Sequence, residues 1–247
     1  MNMLECKDIS KGFRIKRGYL QEEVGSLKAV DGVSLSVGKG EVFGLVGESG
    51  CGKTTLGKIV LGILKPDSGT VKLATEKMQV VFQDPFNSLD PKMSVSDIIA
   101  EGLILQKDQG DIRKKIADIL DLMHLPKTAL TKYPHQFSGG ERQRIAIGRA
   151  VLTDPDFIVC DEPVSSLDVT IQMQILHLLK DVQKRFGMTY LFISHDLRVI
   201  KFMCDRVAVM HAGRIVEEGP VAQVYSNPTH PYTKQLLSSI LEVYPKA

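Results

Sequence analysis

The sequence predicts an α/β fold with a parallel central sheet and an inserted helical region. The first observation is an apolar stretch at 41–46 that leads into a glycine-rich loop and then into an amphipathic helix at 54–64. The second is the return of short apolar strands at 157–160, 190–193 and 207–210, a pattern typical of strands buried on both faces. The third is the mostly helical stretch that lies between these two regions.

The remaining elements follow from the same periodicities. Alternation of apolar and polar residues predicts half-buried strands at 4–9 and 30–37. The polar stretch 13–28 between them predicts an exposed loop or hairpin. Residues 65–69 contain a proline and a glycine that end the first helix. The other predicted elements are a strand at 79–82, a helical stretch at 94–152 whose last helix covers about 141–152, and helices at 169–186 and 231–240.

Composition narrows the function classes. The 247 residues are 43% apolar, enough for a substantial core, and 31 basic residues against 29 acidic ones give no field that favours nucleic acid or anionic lipid. Four widely spaced cysteines indicate neither a disulfide framework nor a zinc site, which fits a reducing cytosol. Because no apolar run approaches the roughly 20 residues that span a bilayer, we expect any membrane association to go through another subunit.

The glycine-rich loop matches a phosphate-binding loop. Its glycines let backbone N–H groups turn toward phosphate oxygens, Lys53 adds a charge toward the β and γ phosphates, and the Thr54 hydroxyl suits Mg²⁺. The alternative is a chance glycine turn. The presence of a cysteine at position 51 is explained better by packing than by redox chemistry. The predicted nucleotide-binding residues here are Gly47, Glu48, Ser49, Gly50, Cys51, Gly52, Lys53, Thr54 and Thr55.

Two predicted strands end in polar residues. Asp161 and Glu162 follow the strand at 157–160, at the sheet edge where such folds bind ligands, so we expect Asp161 to hold Mg²⁺ and Glu162 to act as general base for the attacking water. The alternative is a surface acid pair. His195 follows the strand at 190–193 and is predicted to be catalytic, although a histidine at a strand end is more often structural.

A second glycine-rich turn opens the helix at 141–152. Its residues are Ser138, Gly139, Gly140 and Glu141, and we call them the signature turn. Serine as the cap would make this helix N-terminus a second anion-binding site. The alternative is an ordinary capped helix, because Ser138 and Glu141 also match a capping box.

These motifs, in this order, resemble the ABC-transporter ATPase family. The resemblance also covers Gln83 after a strand and the turn Ser165-Ser166-Leu167-Asp168. It implies a P-loop NTPase core with a small antiparallel β subdomain and an inserted α-helical subdomain. The implied boundaries within the single domain 1–247 are 1–93 and 153–226 for the core, 94–152 for the helical subdomain and 227–247 for a C-terminal extension.

The resemblance assigns further roles. In this family two cassettes face each other head to tail and sandwich two ATP molecules, so Ser138 and Gly140 would contact a γ-phosphate bound by the partner. Gln83 would contact the Mg²⁺ site and couple it to the helical subdomain that touches the permease, and Asp168 would line the dimer seam. Phe13, or else Tyr19, would stack on adenine.

A finer resemblance is to dipeptide, oligopeptide and nickel importer ATPases. It rests on Val30-Asp31-Gly32-Val33, the loop residues, the stretch 82–91 and the tail Asn227-Pro228-Thr229-His230-Pro231-Tyr232-Thr233. The chain departs from these relatives in being shorter than usual between Gly69 and Met78. It implies an identical or different ATPase partner, two permeases, an extracytoplasmic solute-binding protein and a place on the cytoplasmic membrane face.

Other readings have different expectations. A phosphonate-utilisation ATPase is the nearest rival. A non-transport ABC ATPase acting on DNA or ribosomes would carry coiled-coil insertions or a basic face, and a cassette without turnover would lack Glu162 or His195.

Overall fold

The computed structural model describes residues 1–17, 22–107 and 110–241, and they fall into two compact units. The first unit contains Met1–Glu76 and the chain from Thr189 onward, and the second is Lys77–Met188. Among the described residues, no helix combines the length and the apolar character needed to cross a membrane. The α/β fold class is confirmed.

The first unit contains an antiparallel sheet of three strands in the order β2, β1, β4. These strands are β1 (Asn2–Arg17), β2 (Glu22–Gly38) and β4 (Ser68–Leu73). The predicted strands at 4–9 and 30–37 are therefore parts of a longer antiparallel pair, whose outer part contains 13–17 and 22–28. Backbone pairing continues the ladder here although Phe13, Arg14 and residues 26–28 are exposed.

The first unit also contains the strands around the phosphate loop. β3 lies between β7 and β8 and is parallel to both, and β9 pairs with β8 in the antiparallel sense. All five residues of β3 and all six of β7 are buried, which explains their continuous apolar sequences. The bounds are β3 (Val42–Val46), β7 (Thr189–Ser194), β8 (Arg206–His211) and β9 (Arg214–Pro220).

Four helices complete the first unit. They are α1 (Lys53–Val60), α6 (Leu197–Met203), α7 (Val221–Ser226) and α8 (Pro231–Leu241). The predicted helix at 54–64 ends four residues early, because Leu61 caps it and Gly62 takes a left-handed φ of +70°. Sequence periodicity missed α6, α7, β4 and β9, which are short or largely exposed.

The second unit is predominantly helical. Its two strands, β5 (Met78–Val81) and β6 (Phe157–Asp161), are parallel neighbours. Its helices are α2 (Val95–Leu105), α3 (Ile112–Leu122), α4 (Gly139–Leu152) and α5 (Val169–Phe186), with short 3₁₀ turns at Lys127–Ala129 and Pro134–Gln136. The predicted strand at 79–82 is shifted by one residue, and α4 begins at Gly139 within the signature turn. Because Gly148 has no side chain, Ile119 of α3 and Met123 at its C-terminal end pack closely against α4.

Candidate functional site

The phosphate loop connects β3 to α1 in the first unit, and two of its glycines are required by close backbone approaches. A Cβ at Gly47 would lie 2.1 Å from the Met210 carbonyl oxygen, and one at Gly52 would lie 2.0 Å from the Ala29 carbonyl oxygen. Gly52 also has a φ of +110°, which L residues rarely adopt. The loop can follow this path only with glycine at both positions.

Lys53 lies over the loop that precedes it. Its side chain is buried, with the residue 4% exposed, and its Nζ donates hydrogen bonds to the carbonyl oxygens of Gly47 at 2.7 Å and Glu48 at 2.8 Å. A buried ammonium is costly unless it is paired or hydrogen-bonded. The loop carbonyls meet that need here, and an anion would meet it more strongly because a charge-assisted contact to an ionised acceptor adds Coulomb attraction.

The neighbouring loop residues differ in accessibility. Glu48, Ser49, Gly50 and Thr54 are exposed. Burial raises the pKa of the Cys51 thiol, and the nearby Lys53 ammonium lowers it by less. Cys51 is therefore a neutral, packed thiol at neutral pH, as expected from the sequence. Thr55 is half-buried in the first turn of α1.

Two further predicted residues belong to the first unit. His195 is exposed immediately after the fully buried β7, and Asp196 caps α6 by accepting from the Arg198 N–H at 2.8 Å. Phe13 lies on the β1–β2 hairpin opposite Leu27 and is 42% exposed. Tyr19, the alternative adenine-stacking residue, lies outside the described residues.

The second unit presents the carboxylate pair at the end of β6. Four buried residues precede Asp161, which is half-buried, as is Glu162. Glu162 has a φ of +48°, an uncommon conformation for a residue with a side chain and one that clusters at functional sites. The Ser165 N–H and hydroxyl both donate to the Glu162 carbonyl oxygen, at 3.3 and 3.2 Å, so the turn after β6 holds this backbone in place.

The signature turn is a capping box, as the sequence predicts. The Ser138 hydroxyl oxygen accepts from the Glu141 N–H at 3.4 Å, and the Glu141 carboxylate accepts from the Ser138 N–H at 2.9 Å. These contacts hold the pKa of Glu141 below its usual range, chiefly through the hydrogen bond from the Ser138 N–H. Capping and anion binding are compatible readings, because both use the exposed N-terminus of α4.

The signature turn lies beside the turn that follows β6. A Cβ at Gly140 would lie 2.5 Å from Ile171 Cγ2, and one at Gly139 would lie 3.3 Å from Leu167 Cδ2. Asp168 caps α5 by accepting from the Ile171 N–H at 3.0 Å. The two predicted dimer-facing segments of the second unit are thus packed together.

Gln83 is tied to the same cluster through its backbone. The Ser166 hydroxyl donates to the Gln83 carbonyl oxygen at 3.3 Å, and the Gln143 side chain donates to the Phe82 carbonyl oxygen at 3.4 Å. The Gln83 residue is exposed. These hydrogen bonds therefore link the backbone at Phe82 and Gln83 to α4 and to the turn before α5.

Sequence reasoning missed several supporting residues. The Arg142 guanidinium lies 3.7 Å from the centre of the Phe86 ring, and the Gln172 side chain donates to the Val164 and Leu167 carbonyl oxygens at 3.0 Å. Tyr232 contacts the phosphate loop, with its hydroxyl accepting from the Glu48 N–H at 3.1 Å. Phe86, Leu167 and Tyr232 lie in stretches that the sequence analysis singled out, but none of those patterns reveals the contact that the residue makes.

Two family models match the chain. The model described as "ABC transporter" matches residues 30–165, and the model described as "Oligopeptide/dipeptide transporter, C-terminal region" matches residues 216–247. The first covers more than half of the chain and includes the phosphate loop, the signature turn and the carboxylate pair. The second covers the His-Pro-Tyr tail.

Curated relatives are similar over nearly the whole chain. The oligopeptide transport ATP-binding protein OppF of Bacillus subtilis is 45% identical over 96% of this chain and 82% of its own length. OppF of Streptococcus mutans is 46% identical over 98% of this chain and 83% of its own length. A putative peptide import ATP-binding protein of Brucella ovis is 45% identical over 93% of this chain and 78% of its own.

Solved structures share the fold. CbiO1 from Clostridium perfringens, part of an ABC transporter complex, has a TM-score of 0.76 at 25% identity, covering 98% of this chain and 95% of its own. The ATP-binding cassette MJ0796, solved as a dimer in a post-hydrolysis state with ADP and phosphate, has a TM-score of 0.75 at 26% identity and covers 89% and 99%.

Proposed function

We propose that this chain, which belongs to the ABC transporter ATPase family, is the ATP-hydrolysing subunit that energises a peptide importer. The observation that carries the peptide assignment is the match of residues 216–247 to the C-terminal region of oligopeptide and dipeptide transporters. The names of the relatives at 45–46% identity support the same substrate class. The family models and relatives reported above name neither a nickel chelate nor a phosphonate.

The phosphate loop suits a triphosphate. Gly47 and Gly52 let the loop follow a path that a Cβ at either position would block, and the Lys53 ammonium donates to the Gly47 carbonyl oxygen. Backbone N–H groups, the ammonium and the N-terminus of α1 all present positive potential. We assign phosphate binding to the loop from Gly47 to Thr55 and adenine stacking to Phe13.

Oxygen donors suit a magnesium ion. Hydroxyl, carboxylate and amide oxygens are the ligands that Mg²⁺ takes in ATPases, and we assign these to Thr54, Asp161 and Gln83. When bound, the ion neutralises charge on the β and γ phosphates.

Hydrolysis needs a base for water and donors for the γ-phosphate. We assign the base to Glu162, whose left-handed backbone is held by Ser165, and a catalytic role beside the γ-phosphate to His195. Removing a proton from the attacking water contributes about 10²- to 10⁴-fold when the base is positioned. The signature turn is assigned to a γ-phosphate carried by a second cassette.

The proposed assembly has two ATPase subunits, identical or different, and two permeases at the cytoplasmic membrane face. An extracytoplasmic solute-binding protein would deliver the peptide. MJ0796 is a dimer in its solved form, which supports a paired cassette. No nucleic-acid partner is proposed.

Reconstitution tests the function. The chain would be isolated with the permeases and any second ATPase subunit that copurify with it, and placed in proteoliposomes with the solute-binding protein. ATP turnover would be assayed with oligopeptides, a nickel chelate or a phosphonate. We expect stimulation by oligopeptides, absent when the chain carries Lys53→Ala. Stimulation by the chelate or the phosphonate alone would refute the peptide assignment while leaving the ATPase intact.

A further inference from the structure

The C-terminal region, residues 216–241, is fastened at the start of α8. The Glu217 carboxylate on β9 accepts from the backbone N–H groups of Thr229 at 2.8 Å and His230 at 3.0 Å. The His230 Nδ1 then accepts from the Tyr232 N–H at 3.2 Å. Two side chains thus fix the turn that leads into α8, and with it the position of Tyr232.

Tyr232 is directed at the phosphate loop. It is 8% exposed, and its ring centre lies 3.9 Å from that of His211 at the end of β8. Its hydroxyl oxygen accepts from the Glu48 N–H at 3.1 Å, a contact between residues 184 positions apart. Burial raises the pKa of Tyr232, so the phenol is neutral at neutral pH and retains its proton.

The contact lies at a sensitive place. Residue 48 follows Gly47, which is pressed against the Met210 carbonyl oxygen, and on the other side of the loop the Gly213 N–H donates to the Cys51 carbonyl oxygen at 3.0 Å. Glycine-rich segments lose much conformational entropy when they are ordered. A hydrogen bond at each side of the loop offsets part of that cost before any nucleotide arrives.

The Glu48 carbonyl is also engaged, since Lys53 Nζ donates to it. The proposed phosphate contact requires the ammonium to engage the ligand instead of this carbonyl. The Tyr232 contact uses the opposite end of residue 48, its N–H, and it does not depend on where the ammonium points. It can therefore hold residue 48 in both arrangements.

We propose that Tyr232 is a positioning residue for the phosphate loop, through which the C-terminal region takes part in ATP binding. The inference rests on the proposal that this loop is the ATP site. It gives the segment matched by the second family model a function inside the cassette, namely holding the loop in the shape that accepts phosphates. Tyr232 touches no reacting atom and acts only through Glu48.

The test removes one hydroxyl. Tyr232→Phe keeps the ring against His211 and deletes the acceptor for the Glu48 N–H. Because one hydrogen bond of this kind contributes about 0.5–1.5 kcal/mol, we expect the Kd for Mg-ATP and the KM to rise about two- to twelvefold. The kcat at saturating ATP should stay within about twofold, since the loop closes correctly once it is occupied.

Tyr225→Phe is the matched control. The Tyr225 hydroxyl donates to the Leu197 carbonyl oxygen, so this variant deletes another part-buried tyrosine hydrogen bond in the same unit, at the start of α6 instead of at residue 48. Calorimetric titration of the full chain with Mg-ATP, beside thermal unfolding without nucleotide, separates the two effects. Tyr225→Phe should lower the unfolding temperature and leave the Kd unchanged.

The outcomes are distinguishable. Weaker ATP binding for Tyr232→Phe with normal binding for Tyr225→Phe supports the inference. Wild-type affinity in Tyr232→Phe, or equal loss in both variants, overturns it. Lys53→Ala in the same titration tests the site itself: if Lys53→Ala binds ATP normally, the ATP-site proposal fails, whereas its loss of binding beside a normal Tyr232→Phe leaves the site and removes only the positioning role.

Discussion

Gly47→Ala tests whether the backbone path of the phosphate loop is what binds ATP. The added methyl would lie 2.1 Å from the Met210 carbonyl oxygen, whereas real Cβ contacts essentially never fall below 3.0 Å. The difference is about 0.9 Å. β8 is paired on both sides, by β3 and β9, so we expect the loop to move rather than the strand. A misplacement of about 1 Å costs up to about 10²-fold in rate at a catalytic site. We therefore expect the Kd of Gly47→Ala for Mg-ATP to rise by up to about 10²-fold, which corresponds to about 2.7 kcal/mol.

The assay is equilibrium titration of the full chain with Mg-ATP, with thermal unfolding measured in parallel. Gly62→Ala is the control, because Gly62 has a φ of +70° but, apart from its chain neighbours, no described atom lies within 4 Å of an added Cβ. The control should lose about 1–2 kcal/mol of stability through backbone strain and keep its ATP affinity. A folded Gly47→Ala variant that binds ATP within twofold of wild type would refute the reasoning.

Two further substitutions separate the loop from the signature turn. Lys53→Ala should abolish most ATP affinity in the titration, because the loop loses the ammonium that lies among its carbonyls. Lys58→Ala, at an exposed lysine of α1, should bind ATP normally. Equal affinity of the wild type and both variants would exclude the loop as the site. Ser138→Arg should leave ATP binding by the isolated chain nearly intact and suppress turnover of the assembled transporter, measured as phosphate release. The control Ser94→Arg removes the equivalent cap of α2 and should cost about 1 kcal/mol of stability without that loss of turnover. Full-rate hydrolysis by a strictly monomeric chain would contradict a shared site.

Local signals made much of the chain predictable. The buried strand β3, the loop and the start of α1 are adjacent in sequence, so one apolar run and one glycine pattern specify them. The capping box at Ser138 and Glu141 likewise needs only four residues. Strands β6 and β7 were predictable because each is buried along nearly its whole length.

Distant contacts were not predictable. The need for glycine at position 47 comes from the Met210 carbonyl, and the support of Glu48 comes from Tyr232, 184 residues away. Neither contact leaves a periodic pattern, since tertiary packing alone brings the elements together. Strands β4 and β9 were missed because exposed edge strands alternate weakly between polar and apolar residues.

Glu162→Gln is the sharpest test of ATP hydrolysis with Glu162 as the base. The substitution keeps the size of the side chain and removes its basicity, and Glu76→Gln at an exposed position controls for loss of one charge. Turnover by the assembled ATPase should fall by about 10²- to 10⁴-fold. Mg-ATP should bind with wild-type affinity, and light scattering should show an ATP-dependent dimer that accumulates. Turnover equal to that of Glu76→Gln would exclude Glu162 as the base.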